Sequence, residues 1–83
     1  MHEYSLVQAM FDQIGDAMTR HGAVAVRRVR VRIGASAGVE PSLFRTAYEV
    51  FRIRTACAEA PLEIVDVAAS DELTLDRLEL EVP

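Results

Sequence analysis

Hydrophobic positions along the chain change period three times, and each change opens a new element. Val7, Met10, Phe11, Ile14 and Met18 recur at helical spacing, with Gln8, Asp12, Gln13, Asp16 and Arg20 on the other side. This predicts an amphipathic helix over Tyr4 to His21, stopped by Gly22, where the chain must turn left-handed. Gly15 lies inside that helix and weakens it by about 1 kcal/mol relative to alanine, so packing has to hold it. From Ala23 to Ile33 the period becomes two. Val29, Val31 and Ile33 alternate with Arg28, Arg30 and Arg32, the signature of a strand with one buried and one wet face. Val24 and Val26 have the opposite parity, so a bulge is expected at Arg27-Arg28.

The small residues Gly34-Ala35-Ser36-Ala37-Gly38 form a loop that leads into Val39-Glu40-Pro41-Ser42, with proline suited to a first helical turn. Leu43, Phe44, Ala47, Val50 and Phe51 make the stripe of a second helix ending near Arg54. After a connector from Ala56 to Pro61, Leu62 to Val67 and Leu73 to Val82 read as strands. In the second of these, Leu78, Leu80 and Val82 alternate with Glu79 and Glu81. A short polar link of this kind predicts a hairpin. The order is α-β-α-β-β. It predicts an α+β fold, a two-layer sandwich with a three-stranded sheet and two helices on one face.

Eighty-three residues make one domain, 1–83, with one core. Hydrophobic residues at 51% and charged residues at 27% describe a folded chain rather than a disordered one. A net charge of -4 gives no basis for binding nucleic acid or an acidic membrane surface. No apolar run approaches the roughly 20 residues a membrane span needs, and no secretory signal is visible. The single cysteine, Cys57, cannot form an internal disulfide, so the expected compartment is the cytoplasm.

Few residues could carry chemistry. The row Arg27, Arg28, Arg30 and Arg32 could contact phosphate, but no aromatic residues are interleaved for base stacking. The alternative is a solvated strand face neutralised by Glu79 and Glu81. No phosphate loop is present, and Ser36 and Cys57 lack a partner base in sequence, so no enzyme is expected. With two histidines and no CxxC pair, the chain cannot build a Cys/His zinc site.

The N-terminus is different. In Met1-His2-Glu3 the free amine, the His2 backbone nitrogen and the His2 imidazole Nδ1 can close fused five- and six-membered chelate rings. The Glu3 amide nitrogen can add a fourth donor. A planar nitrogen set suits Ni(II) or Cu(II) over tetrahedral zinc, and its affinity falls with pH because amides must lose protons.

MHEYSLVQAM, VRVRIGASAGVEPSLFRTAYEVFR, LEIVDV and DELTLDRLELEV together resemble the HypA/HybF family of nickel-insertion accessory proteins for NiFe-hydrogenase maturation. The resemblance runs in order over nearly the whole chain. Its most specific pieces are the Met-His-Glu start and the R-I-G-x-x-x-G-V-E-P-x-L-F segment.

It implies a nickel metallochaperone with Ni(II) as transient cargo. The implied ligands are the Met1 amine, His2 through imidazole and backbone nitrogen, the Glu3 backbone nitrogen and, in the loop before the second helix, Glu40. Glu40 also suits a role as an acid at a helix N-terminus. The implied partners are a nickel-handling GTPase, the hydrogenase large subunit and urease accessory proteins. Members of the family normally carry an inserted zinc domain with two CxxC pairs between the last two strands. Here it is absent around residues 68–71, so no zinc is expected. That join fits a natural loss of the module as well as a deliberate excision. The alternative function is a protein interaction module or structural subunit of a hydrogenase-related complex, without nickel delivery. Exposed strand edges allow a monomer or a weak homodimer.

Overall fold

A computed structural model describes residues 2–83. Helix α1 spans His2–His21, strand β1 Ala25–Gly34, helix α2 Pro41–Phe51, strand β2 Leu62–Val67 and strand β3 Leu73–Glu81. The order and the α+β class are as expected. Helix α1 starts two residues earlier than the apolar stripe suggested, and α2 ends at Phe51, where Arg52 caps it and turns follow. The Ala23-Val24 pair stays outside β1, and Val24 is 58% exposed. No helix among the described residues is long and apolar enough to cross a membrane.

The sheet order corrects one expectation. β2 and β3 form no hairpin. Both pair with β1, which lies between them, β2 in parallel and β3 antiparallel. Val29, Val31 and Ile33 explain why β1 is central, since each is at most 2% exposed. Its inner face is apolar and fully covered, while the other face carries the arginines. The link between β2 and β3 therefore crosses the C-terminal end of β1. It is strapped there by main-chain hydrogen bonds, Gly34 N–H to Glu72 O at 2.8 Å, Ala35 N–H to Val67 O at 2.9 Å and Ser36 N–H to Ser70 O at 2.8 Å. Gly34 permits the crossing. A Cβ there would collide with the Ser70 carbonyl oxygen, and would lie 2.5 Å from its carbon and 2.9 Å from the Glu72 nitrogen.

The expected bulge at Arg27 is present as a register shift between Val26 and Arg28. A second shift falls between Arg30 and Val31, where β3 has an extra residue, Asp76. The core joins Val7, Met10 and Ile14 of α1 with the β1 valines, Phe44, Ala47 and Tyr48 of α2, and Cys57, Ala60 and Leu62. Phe11 links the helices by packing its ring 5.8 Å from that of Tyr48 and 6.2 Å from that of Phe51. Tyr48 donates to the Ala60 carbonyl at 2.7 Å and Arg52 to the same oxygen at 3.2 Å, which fixes the connector. Burial raises the pKa of the Cys57 thiol, and Cys57 belongs to the packing.

Candidate metal centre

The arginine row is neutralised in place. Arg27 pairs with Glu81 at 3.4 Å, Arg28 with Glu79 at 3.6 Å, Arg30 with Asp76 at 2.7 Å and Arg32 with Glu72 at 3.2 Å. Each such surface pair contributes roughly 0–1 kcal/mol. Together they leave this face without the excess positive charge that phosphate recognition needs. The acidic partners of Arg30 and Arg32 differ from the two glutamates anticipated, because the β3 bulge re-aims Asp76 and the link supplies Glu72.

The N-terminus stands at the opposite layer. His2 is exposed in the first turn of α1, so its imidazole is accessible. Its main-chain N–H and that of Glu3 belong to the first helical turn, where amides have no intrahelical acceptor. Met1 lies outside the described residues. His21, at the other end of the 20-residue helix, is about 28 Å away along the axis and cannot share an ion with His2.

Glu3 and Glu40 are brought together, though not as a pair of free carboxylates. Glu3 is only 8% exposed, and its Oε2 accepts the Glu40 backbone N–H at 3.3 Å. Glu40 is the N-cap of α2, with extended backbone at φ -87° and ψ 113°. Its Oε1 accepts from Ser42 twice, from the amide at 2.7 Å and the hydroxyl at 2.6 Å. These bonds hold the Glu40 carboxyl below its ordinary pKa, the Ser42 hydroxyl contributing most. A cap of this kind stabilises a helix by about 1 kcal/mol. Next to Glu3, Tyr4 rests its ring 5.8 Å from that of Phe51, a second tie between the terminus and α2.

Sequence reasoning placed Glu40 at a helix start but missed two features. One is Ser42 as the partner of its carboxylate, which the Glu-Pro-Ser spacing could have revealed. The other is the Glu3 carboxylate as an anchor for the loop before α2, for which no local pattern exists. Among the described residues, no three His, Cys, Asp or Glu side chains gather into a metal-holding group.

The sequence pattern that defines the family described as hydrogenase/urease nickel incorporation, metallochaperone, hypA matches residues 1–72. The chain belongs to the HypA family. It is 36% identical over 90 residues to the hydrogenase maturation factor HypA of Shewanella oneidensis, covering all of this chain and 76% of that protein. It is 41% identical over 64 residues to the HypA of Wolinella succinogenes, covering 77% of this chain and 54% of that one. The chain thus spans little more than half the length of most HypA relatives it matches. The solution structure of the Ni metallochaperone HypA from Helicobacter pylori superposes with a TM-score of 0.88 at 23% identity, over 98% of each chain, a likeness of fold. Another HypA solution structure gives 0.70 at 30% identity, over 93% of this chain and 71% of that one.

Proposed function

We propose that this chain is a nickel-binding domain of the metallochaperone type, without enzymatic activity, that takes Ni(II) at its free N-terminus. The ligands are the Met1 amine, the His2 amide nitrogen and imidazole, and the Glu3 amide nitrogen. The carrying observation is an accessible His2 in the first turn of α1, in a HypA-family chain that begins Met-His-Glu. Helical backbone near ψ -42° keeps consecutive nitrogens on one side, close to what a five-membered chelate ring needs. Two deprotonated amides also balance the charge of the ion, so the complex adds no net positive charge at the positive end of the helix dipole.

Glu40 reaches this centre through its main chain. Its carboxylate caps α2, and ligation by it requires release of Ser42. Delivery to a nickel-handling GTPase, the hydrogenase large subunit or urease accessory proteins in the cytoplasm is part of the same reading. The zinc module is replaced by residues 68–72, and the chain has no second cysteine to hold zinc.

The test is a nickel titration of the untagged chain near neutral pH, followed by calorimetry and visible absorption. One equivalent with the weak d–d band of a planar low-spin site is expected. Acetylating the amine or introducing His2→Ala removes that binding and leaves the far-UV dichroism unchanged. Undiminished affinity in either variant sinks the terminal chelate. A folded wild-type chain that binds no nickel points instead to an interaction module that kept the fold and lost the ion.

A further inference from the structure

Consecutive side chains in the first turn of α1 reach opposite ends of α2. Glu3 accepts the main-chain N–H of Glu40, the N-cap, at 3.3 Å. Tyr4 lays its ring 5.8 Å from that of Phe51, the last residue of the helix. The two anchor points are the length of the 11-residue helix apart, about 16 Å. Successive residues point about 100° apart around a helix axis, so the first turn of α1 straddles α2 and is held from both sides. It can neither slide along α2 nor rotate about its own axis without breaking one of the two contacts.

The Tyr4 contact is also the outer end of a row of rings. Tyr48 is fully buried, Phe11 stacks on it at 5.8 Å, and Phe51 lies 6.2 Å from Phe11 and 5.8 Å from Tyr4. Tyr48 is itself fixed by its hydroxyl, which donates to Ala60 O at 2.7 Å. The row carries the order of the core out to residue 4. Tyr4 remains 37% exposed, so its ring contributes little to filling the core and acts on the turn. A helix terminus is otherwise the first part to open. The N–H groups of His2 and Glu3 have no intrahelical acceptor, and their carbonyls are held by the amides of Leu6 and Val7. An ion that binds an open turn first has to close it, and the apparent affinity falls with the closed fraction.

We propose that Tyr4 is a positioning residue for metal capture at the terminus. Its ring, seated on Phe51, keeps the first turn of α1 closed, so that His2 and Glu3 meet Ni(II) already ordered. This role rests on the terminal chelate proposed above. An aromatic contact of this kind is worth a factor of about 2 to 12 in an equilibrium constant. The ring supplies it, and the phenol oxygen is not needed.

Calorimetric nickel titration of the untagged full chain, paired with amide hydrogen exchange of the metal-free chain, tests this. Tyr4→Phe keeps the ring and binds nickel within about 2-fold of wild type. Tyr4→Ala weakens binding by about 5- to 10-fold. Its Leu6 and Val7 amides exchange faster by a similar factor, while those of Val29 and Val31 in β1 stay protected. Saturating nickel returns Leu6 and Val7 of Tyr4→Ala towards the wild-type rate, because closing and binding are linked reciprocally. A ring that served only the fold leaves no such coupling. Phe51→Leu reproduces the loss of affinity, and combining it with Tyr4→Ala adds less than about 2-fold, since both act through one contact. A wild type that binds nickel through its amine, with Tyr4→Ala equally tight, overturns the positioning role. A Tyr4→Phe chain as weak as Tyr4→Ala overturns the ring contact and gives the role to the phenol oxygen. A folded wild type that takes no nickel at its amine shows itself in the first titration, and overturns the terminal chelate and this role with it.

Discussion

Gly34→Ala is the substitution to which the fold should be most sensitive for its size. One methyl group is added at the point where the link crosses β1. The new Cβ meets the Ser70 carbonyl group and sits 2.9 Å from the Glu72 nitrogen, all of it backbone and none of it the flexible end of a side chain. Overpacking of this kind costs about 1–3 kcal/mol. The link can move away only by lengthening Gly34 N–H to Glu72 O and Ser36 N–H to Ser70 O, both 2.8 Å, at about 1 kcal/mol each. The sum is about 3–5 kcal/mol, against a total stability of roughly 4–12 kcal/mol for a chain this long. Urea unfolding followed by far-UV dichroism reads it directly. With a slope near ~1 kcal/mol per molar, the midpoint falls by about 3–5 M or the chain is unfolded without denaturant. Two controls use the same chemistry elsewhere. Gly38→Ala adds its methyl to open space but at φ +74°, and should cost about 1–2 kcal/mol. Gly15→Ala, in open space within α1, should gain about 0.5–1 kcal/mol. If Gly34→Ala costs no more than Gly38→Ala, the link yields freely and does not strap the end of β1.

Two further outcomes follow from the ion pairs and the connector. The Glu72 carboxyl is held below its ordinary pKa by its hydrogen bonds from Arg32 and then Thr74, and Glu40 is held low by Ser42. A carboxyl depressed on folding stabilises above its unfolded pKa, near 4.5, and that contribution is lost as pH falls through the folded value. Urea midpoints should therefore stay level from pH 7 to about 5 and fall below it. Glu72→Gln should make that acid limb shallower, and an unchanged limb rules out the Arg32 pair as a contributor. Tyr48→Phe deletes the 2.7 Å bond to Ala60 O. It should cost only about 1 kcal/mol, because Arg52 still donates to that oxygen. A loss above about 3 kcal/mol in the same titration means that the hydroxyl supports more than this one carbonyl.

Both helices were legible because their stripes are local and regular, and the bulge at Arg27 was legible because the parity of Val24-Val26 conflicts with that of Val29-Ile33. The slip at Asp76-Arg77 is written just as openly, in Leu73, Leu75, Leu78 and Leu80. A strand expected to pair within a hairpin hides it, since only pairing with β1 gives the bulge a partner. The sheet order itself has no local signature. A short polar link serves a hairpin or a crossing over one strand end equally well, and the deciding residue, Gly34, lies in another element. At the candidate centre, the place of Glu40 at a helix start could be read from the Glu-Pro-Ser sequence. The anchoring of Glu3 to Glu40 could not, because the two meet only when α1 packs beside α2.

The crossing also bears on what can occupy the link. Val67 lies beside Gly34 on one flank of β1, and Leu73 beside Ile33 on the other. The ends of β2 and β3 are therefore two strand spacings apart, about 10 Å, twice what a hairpin tip offers. A module inserted there has to straddle the end of β1 rather than hang from a turn. The present link does this by binding Gly34, Ala35 and Ser36. The same loop continues to Glu40, whose amide is held by Glu3 in the first turn of α1. The strap of residues 68–72 thus loads a stretch of backbone that ends against the first turn of α1. The crossing needs only a span of about 10 Å, which five residues cover with length to spare at up to ~3.3 Å each. The slack is taken up by the turn at Ala69, where φ is +55°.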